Sequence, residues 1–299
     1  MTEVSPGTGS VTPSEATARM ADGTLLRTLH WEPVGEPWAV ALIVHGLGEH
    51  GGRYGNVAGP LTASGIDVNA YDHRGFGGSA GRRAYVDRWD QFHDDLQERI
   101  DALRAEHPDL PLILYGHSMG GLIVAGYVLS DRERPLPELL VLSAPGFDST
   151  IAGWKQAVAS SLDRVVPRMR ISNGPIRDGL SHDPAVREAY ARDPLCQTAS
   201  TVHFGHEAIA EQRRVRAAID ALERMPVPTY VFHGSEDPIV PVGASEGLGE
   251  KGNVTRHVHD GLRHETHHEY EHDHVMAEVI EWLESQRAAS AARVSAAAV

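Results

Sequence analysis

The chain has 299 residues, of which 41% are hydrophobic, so it can form the core of one large or two small domains. Its formal net charge of −14 argues against a basic nucleic-acid surface and against strong attraction to anionic membranes, while hydrophobic docking on lipid stays open. The one cysteine, Cys196, excludes an internal disulfide and a zinc site built from cysteines.

The two ends of the chain differ in composition from the rest. Residues 1–15 are rich in Ser, Thr, Gly and Pro and contain no apolar stretch, so we expect a frayed leader rather than a signal peptide or an anchor. The alanine-rich residues 288–299 are also expected to fray after the last helix. No segment reaches the ~20 apolar residues of a membrane span, and we expect a cytoplasmic protein.

Apolar strand-like runs alternate with helical patterns along most of the chain. Residues 17–20 and 24–31, joined by a turn at Gly23, predict an antiparallel hairpin. Further strands are predicted at residues 40–44, 67–71, 112–115, 139–142, 229–232 and 253–259. Helices are predicted at residues 57–64, 89–106, 118–129, 207–224 and 271–287. This alternation predicts an α/β fold with a mostly parallel central sheet that is flanked by helices on both faces.

The alternation breaks at residues 146–204, where no clear strand is predicted. A helix is predicted at residues 154–162, and a stretch rich in Pro and Gly separates it from a second helical pattern at residues 182–193. We therefore expect a helical cap at residues 146–204, inserted into a core formed by residues 16–145 and 205–287.

The sequence Gly-His-Ser-Met-Gly at residues 116–120 fits the pattern Gly-x-Ser-x-Gly and lies between a predicted strand and a predicted helix. A sharp strand-to-helix turn holds the serine hydroxyl above the sheet in a strained backbone conformation. The small residues Gly116 and Gly120 allow the strand and the helix to approach each other. Ser118 is therefore predicted to be a nucleophile, and the alternative is an ordinary glycine–serine turn.

A nucleophilic serine needs a histidine base, and the base needs an acid that fixes its tautomer. The acid is expected in the loop after strand 229–232, where Asp237 precedes Pro238. Glu236 is the neighbouring alternative for the acid, and Asp237 could instead cap a short helix. The base is expected in the loop after strand 253–259, which contains His264.

Histidines crowd the sequence around His264. The others are His257, His259, His267, His268, His272 and His274. Their spacing lacks a short ligand pattern such as His-Glu-x-x-His, so a metal site is disfavoured. We expect most of these histidines to be solvated residues of a helix and a loop, and we predict no metal and no cofactor.

A tetrahedral intermediate needs N–H donors where negative charge develops on its oxygen. The backbone N–H of Met119 is one candidate, because it follows the serine at the start of a helix. The second is the N–H of Leu47, since Gly46 and Gly48 let the loop after strand 40–44 turn inward. A phosphate-binding loop is a weak alternative, because the segment fits neither Gly-x-Gly-x-x-Gly nor Gly-x-x-x-x-Gly-Lys. The loop at residues 72–79 is expected to support the site.

With these residues identified, the chain resembles the α/β-hydrolases. More narrowly, it is similar to bacterial members of the monoacylglycerol lipase or lysophospholipase-like family, also described as serine aminopeptidase S33-like. The matching segments are HGLGEHGGRY at 45–54, DHRGFG at 72–77, GHSMGG at 116–121, LSAP at 142–145, SHDPAV at 181–186 and YARDPL at 190–195. The resemblance extends from about residue 17 to about residue 286.

The resemblance implies that Ser118 is the nucleophile, that His264 is base and then acid, and that Asp237 orients His264. It also implies that the N–H groups of Leu47 and Met119 form the oxyanion hole. The chain departs from the family at Arg263, where a tyrosine often precedes the catalytic histidine.

The implied activity is hydrolysis of a monoacylglycerol to glycerol and a free fatty acid through an acyl-enzyme. The cap could line an acyl tunnel and could contact membranes or lipid droplets transiently, which would make the protein peripherally membrane-associated. Its apolar residues are Trp154, Val158, Leu162, Val165 and Ile171. The alternative is that these side chains only pack the cap onto the core. The expected partner is a small lipid ester and not a nucleic acid, and we expect a monomer or a weak oligomer.

Other activities use the same three residues. A broad-specificity carboxylesterase and a lysophospholipase stay open. A proline-type aminopeptidase needs acidic groups to hold the substrate amine, and the cap sequence has no obvious acidic cluster. A cofactor-free haloperoxidase usually has a different lid. A non-catalytic binding member of the fold would be expected to lack one of the three residues, and this chain retains all of them.

Overall fold

The structure is a computed structural model that describes residues 12–148, 162–174 and 176–297, with side chains described as far as Ala292. The predicted helix at 154–162 lies outside these residues except for its last position. Trp154 and Val158, predicted to line an acyl tunnel, lie outside the described residues as well.

Eight strands form one sheet in the order β1-β2-β4-β3-β5-β6-β9-β10. Their bounds are β1 Ser14–Arg19, β2 Leu25–Trp31, β3 Ala39–Val44, β4 Ile66–Tyr71, β5 Leu112–His117, β6 Leu139–Ser143, β9 Arg224–Gly234 and β10 Gly252–His259. The strand β2 pairs antiparallel with β1 and with β4, and every other pair in the sheet is parallel. This sheet confirms the predicted α/β fold and the predicted hairpin.

Helices cover both faces of the sheet. In chain order they are α1 Gly55–Ala63, α2 Asp90–Glu106, α3 Met119–Val128, α4 Ile176–Gly179, α5 Pro184–Arg192, α6 Val202–Ala221, α7 Glu246–Gly249 and α8 His272–Ala297. Within the described ranges, none of these helices combines the length and apolar character that crossing a membrane requires.

The central strand β3 shows how the sheet separates two apolar cores. Its residues are all buried, and successive side chains point to opposite faces. On one face, Val40, Leu42 and Val44 join a cluster that includes residues of α2, α3 and α6. On the other face, Ala39, Ala41 and Ile43 join residues of α1 and α8. A strand that is buried on both faces has no polar alternation, which explains its continuous apolar sequence.

Several predicted boundaries were wrong. Strand β1 begins at Ser14, inside the predicted leader, and the Glu15 carboxylate of this strand pairs with Arg27 at 2.6 Å. The last helix continues to Ala297 instead of fraying after Arg287, as its alanine content allows. Helix α6 begins at Val202 rather than at 207, and the Thr201 hydroxyl caps it by accepting the Phe204 N–H.

The expectation of no strand in the insertion was also wrong. Two short strands, β7 Arg170–Ser172 and β8 Ala199–Thr201, pair antiparallel there. Each has three residues, which is too short for alternation of polar and apolar side chains to identify a strand in the sequence.

The turn between β5 and α3 requires glycine at two positions. A Cβ at Gly120 would lie 1.8 Å from the Val44 carbonyl oxygen, and one at Gly116 would lie 2.5 Å from Val124 Cγ2. The β3, β5 and α3 backbones therefore meet at a distance that only glycine permits. This contact fixes where the helix starts relative to the sheet.

Gly120→Ala is expected to lower the free energy of unfolding by about 3 kcal/mol, the upper end for overpacking, because the clash is with backbone. Gly205→Ala is the matched control: it also lies in a helix, and its Cβ would meet no atom within 4 Å. This control should gain about 0.5–1 kcal/mol from reduced chain entropy. Urea unfolding of both variants measures the difference, and equal stability of the two would contradict the argument.

Candidate active site

Ser118 occupies a strained position between β5 and α3. Its φ and ψ angles are 52° and −117°, which non-glycine residues rarely adopt, and such strain costs roughly 1–3 kcal/mol. Backbone hydrogen bonds hold it there: its N–H donates to the Ser143 carbonyl at 2.9 Å. Its own carbonyl accepts the N–H groups of Leu122 at 3.1 Å and Gly146 at 2.8 Å. The strain therefore persists because three neighbouring segments fix the turn.

Asp237 lies in the loop after β9 with a fully buried side chain. Its Oδ2 lies 2.7 Å from His264 Nδ1 and 3.0 Å from His233 Nε2. Its Oδ1 accepts the N–H groups of Ile239 at 2.8 Å and Val240 at 3.0 Å. Burial alone would raise the pKa of Asp237, but the two imidazoles, His264 above all, lower it well below its ordinary value. The carboxylate therefore stays ionised.

The geometry separates Asp237 from the alternatives considered for it. The Glu236 side chain is 62% exposed and lies 3.7 Å from His182, so it does not lie against His264. The bonds from Oδ1 of Asp237 to two N–H groups are those of a capped turn, and its other oxygen holds the imidazole. Asp237 thus does both things that were considered for it: Oδ1 caps the turn, and Oδ2 orients His264.

His264 is buried in the loop that follows β10. Burial would lower the pKa of His264, but the Asp237 carboxylate outweighs it and raises the pKa above the ordinary value of 6.5. With Nδ1 facing the carboxylate, the neutral ring carries its proton on Nδ1 and leaves Nε2 as an acceptor. The next residue fixes the loop, because the Glu265 N–H donates to the Leu180 carbonyl at 2.8 Å.

The two N–H groups predicted for the oxyanion hole are free to donate. Neither Leu47 nor Met119 has a hydrogen-bond acceptor for its N–H among the residues that the structure describes. The neighbouring N–H of Gly46 is already used, since it donates to Glu49 Oε1 at 2.7 Å. The backbone at Gly48 has a φ of 76°, and its carbonyl accepts the Gln197 N–H at 2.7 Å. Gly48 therefore turns the loop and attaches it to the segment before β8.

Ser118, His264, Leu47 and Met119 line one cavity of about 140 Å³. The rest of its wall is mainly apolar. It includes Trp89, Leu122, Ile176, Leu180, Phe204, Ala208, Ile239 and Val240. The cavity therefore combines a serine, a histidine and two free N–H groups with space for an apolar chain.

The described cap residues that were predicted to line a tunnel do not line this cavity. Leu162 is 38% exposed, Val165 is 77% exposed and Ile171 is 43% exposed. Among the described side chains of the predicted cap, those that line the cavity are Asp148, Ile176, Leu180, Tyr190 and Phe204. Leu162, Val165 and Ile171 were predicted from their apolar character alone. Which apolar side chains point into the cavity depends on how this segment packs, which the sequence does not show.

A buried ion cluster beside the cavity was missed in the sequence. The Arg53 guanidinium lies between two carboxylates: Nη1 contacts Glu49 and lies 2.6 Å from Glu265 Oε1, and Nη2 lies 2.7 Å from Glu265 Oε2. The Tyr54 hydroxyl donates to Glu49 Oε1 at 2.7 Å. Burial would raise the pKa of Glu265, but Arg53 lowers it well below its ordinary value. The oppositely charged residues Glu49 and Arg53, four positions apart in the motif at 45–54, were the sequence feature that could have indicated this cluster.

His117, just before the serine, was missed as well. Its ring centroid lies 4.8 Å from that of His264, and its Nδ1 lies 3.0 Å from the Ser143 hydroxyl. Burial, together with the neighbouring His264, lowers the pKa of His117 well below 6.5. His117 therefore stays neutral and does not share the proton of His264.

The expectation that most histidines near His264 are solvated was wrong for half of them. His259, His267 and His268 are buried. His268 bridges two loops, with Nδ1 2.9 Å from Glu265 Oε2 and Nε2 2.9 Å from the Arg53 carbonyl. His267 and His268 are part of the packing around the site and lie in a single short helical turn, which is too short for periodicity to indicate. His259 is the last residue of β10 and lies away from the cavity.

Arg263, the departure from the family pattern, fastens the loop. Its N–H donates to Glu269 Oε1 at 2.9 Å, and its guanidinium donates to the Asp178 carbonyl at 3.0 Å. It thus links the His264 loop to α4 and does not enter the cavity.

Comparison with known proteins places this geometry in a family. Residues 35–271 match the sequence profile of the family described as serine aminopeptidase, S33. The chain is 34% identical to a monoacylglycerol lipase of Mycolicibacterium smegmatis over 85% of this chain and 91% of that protein. It is 33% identical to a monoglyceride lipase of Homo sapiens over 92% of this chain and 91% of that protein.

A solved structure agrees with the fold. The crystal structure of Paleococcus ferrophilus monoacylglycerol lipase is 28% identical, with a TM-score of 0.74 over 88% of this chain and 98% of that one. These matches confirm the resemblance seen in the motifs. The chain belongs to the serine aminopeptidase S33 family of α/β-hydrolases.

Proposed function

We propose that the protein is a serine hydrolase that cleaves monoacylglycerols to glycerol and a free fatty acid. One observation carries the proposal: a strained serine shares an apolar cavity with a histidine whose Nδ1 lies 2.7 Å from a buried carboxylate. In this arrangement Ser118 is the nucleophile, His264 is the base and Asp237 orients the base.

The first half-reaction forms the acyl-enzyme. Ser118 Oγ attacks the ester carbonyl while His264 Nε2 takes its proton, and the carbonyl oxygen becomes an oxyanion. The free N–H groups of Leu47 and Met119 donate to this oxyanion. Protonated His264 is stabilised by Asp237, and it then gives its proton to the departing glycerol oxygen.

The second half-reaction repeats these steps with water. His264 removes a proton from a water molecule, which attacks the acyl carbon and again places negative charge in the oxyanion hole. The collapse of this intermediate returns the proton to Ser118 and releases the fatty acid. No cofactor enters either half-reaction.

The substrate class is supported by the wall of the cavity and by the relatives. The apolar side chains beside Ser118, among them Leu122, Phe204 and Ile239, suit an acyl chain. The two curated relatives described above are named for lipases of monoacylglycerols or monoglycerides.

Peptide hydrolysis fits the cavity less well. Its acidic lining residues are Glu49, Asp148 and Glu265. Arg53 pairs with both glutamates, and Arg216 lies 3.1 Å from Asp148. Among the described lining residues, each carboxylate thus already has a cationic partner and is poorly suited to hold a substrate amine.

We also propose that the cap, residues 146–204, docks on the lipid that supplies the substrate. Its described part exposes Leu162, Val165, Met169 and Ile171. Single exposed apolar residues are common, but four within ten positions is a local concentration of apolar surface that suits contact with lipid.

Ser118→Ala is expected to reduce kcat by at least about 10⁴-fold without unfolding the protein, because the acyl-enzyme is no longer formed. A fluorophosphonate probe should label the wild type at Ser118 and leave the variant unlabelled. Ser130→Ala, beyond the far end of α3, is the matched control and should retain full activity and labelling. Labelling of Ser118→Ala at the wild-type rate would contradict the assignment.

The pH dependence of kcat/KM should report His264. The base must be neutral, so activity should fall as the pH decreases through its raised pKa, with the midpoint above 6.5. Asp237→Asn should move this midpoint down, since burial is then opposed only by the weaker effects of Glu265 and Glu49, and should reduce kcat by about 10⁴-fold. Glu236→Gln should leave the profile unchanged. An unchanged midpoint in Asp237→Asn would contradict the role of Asp237.

A substrate panel tests the proposed activity directly. The wild type should hydrolyse monoacylglycerols with higher kcat/KM than lysophospholipids, triacylglycerols or aminoacyl p-nitroanilides. Ser118→Ala supplies the background for every substrate. Activity on p-nitrophenyl esters without activity on monoacylglycerols would indicate a broad-specificity carboxylesterase and would reject the lipase proposal while leaving Ser118 as nucleophile.

A further inference from the structure

Four side chains with nitrogen or oxygen ligand atoms meet away from the cavity, between strand β10 and helix α8. His257 and His259 lie two positions apart on β10, so both side chains point to the same face of the sheet. His274 and Glu278 lie four positions apart on α8, so they share one face of that helix. We call these four residues the β10–α8 cluster.

The distances within the β10–α8 cluster suit a metal ion. His257 Nδ1 lies 3.0 Å from Glu278 Oε2, and His259 Nε2 lies 3.8 Å from the same oxygen. His274 Nε2 lies 3.2 Å from Glu278 Oε1. Zinc bonds of about 2.0–2.1 Å in a tetrahedral site separate neighbouring ligand atoms by roughly 3.3 Å. The observed separations lie on both sides of this value.

A second observation points to a ligand in the β10–α8 cluster. The His259 side chain is only 5% exposed, and its Nε2 has no hydrogen-bond partner among the described residues. The Glu278 Oε2 atom toward which it points likewise lacks a hydrogen bond of good geometry in the described part of the chain. Buried polar atoms are nearly always satisfied, so two facing unsatisfied atoms call for a partner.

In another group of possible ligand atoms, the carboxylates are already paired with a cation. Glu49, His117 and Glu265 also lie close together, but Arg53 pairs with both of their carboxylates. No guanidinium or ammonium group is paired with Glu278 among the ion pairs of the described residues; its partners there are His257, His259 and His274. The β10–α8 cluster therefore has an unneutralised carboxylate together with imidazoles.

We propose that the β10–α8 cluster binds a divalent transition-metal ion of the zinc class, with His257, His259 and Glu278 as ligands. A water molecule completes the tetrahedron, while His274, whose side chain is 72% exposed, lies against the other Glu278 oxygen, Oε1. Imidazole and carboxylate ligands suit zinc, and the exposed edge at His257 and His274 gives the ion a path from solvent. The expected role is to stabilise the fold, because the cluster lies outside the cavity that contains Ser118.

Such an ion would join β10 to α8 on the two sides of the loop that contains His264. The start of this loop is already tied to the Asp237 loop, since the Ser235 N–H donates to the His259 carbonyl at 2.9 Å. The Ser235 hydroxyl also accepts the Gly261 N–H at 2.8 Å. Metal binding should therefore raise the melting temperature of the whole protein and leave the chemistry at Ser118 unchanged.

The test uses the full chain, without a histidine tag and freed of metal by a chelator. Calorimetric titration with Zn²⁺ should show one equivalent bound, and titration with Co²⁺ should give the visible absorption of a tetrahedral ion. Glu278→Gln and His257→Gln should each weaken Zn²⁺ binding by at least about 10-fold. Excess Zn²⁺ should raise the melting temperature of the wild type by about 5 °C and that of these variants by much less.

His30→Gln is the matched control. His30 also pairs with a carboxylate, that of Asp67, at 2.9 Å, but it lies on β2, toward the opposite edge of the sheet from β10. This variant should bind Zn²⁺ with wild-type affinity. His257 is partly exposed, so its variant should fold, and circular dichroism verifies this. The absence of saturable Zn²⁺ binding in the wild type, or equal affinity in Glu278→Gln, would overturn the proposal.

Discussion

The active site depends on one buried cation, the guanidinium of Arg53. It lies between the carboxylates of Glu49 and Glu265, the residue after His264. The Glu49 carboxylate also accepts the N–H of Gly46, the residue before Leu47. The guanidinium lies 5.1 Å from the ring centroid of Tyr190 in the cap segment. Desolvating three charges is costly, and the cluster is tolerated because each carboxylate faces the same cation. Loss of Arg53 would leave Glu49 and Glu265 without a guanidinium partner beside His264.

The same charges adjust the proton affinity of the site. Asp237 is the main reason that the pKa of His264 is raised, and Glu265 and Glu49 add to it. His117 and His267, buried nearby, have pKa values well below 6.5 and stay neutral. Among His117, His264 and His267, only His264 has a raised pKa, because its ring lies against the Asp237 carboxylate.

The strands and helices of the core were predictable where a long apolar pattern met a clear stop. Strand β3 and helix α2 agree with the prediction to within one residue at each end. Strand β9 begins at Arg224, earlier than predicted, and its additional residues include Pro226 and Pro228. The register between β9 and β10 is irregular in this stretch, so these prolines do not remove a hydrogen bond between the two strands. The short strands β7 and β8 carry too little pattern to be found.

The sequence by itself determined where Ser118, Asp237 and His264 lie along the chain relative to the strands, because each follows a recognisable strand in a loop or sharp turn. It also determined the strained turn at Ser118, since the close approach of strand and helix at this turn requires the glycines Gly116 and Gly120. Only the tertiary structure decided which loops meet: Arg53 pairs with Glu265 across 212 residues of sequence, and His259 faces Glu278 from a different element. Periodicity reports the local backbone and one buried face, whereas contacts between distant loops depend on how the whole sheet and its helices pack.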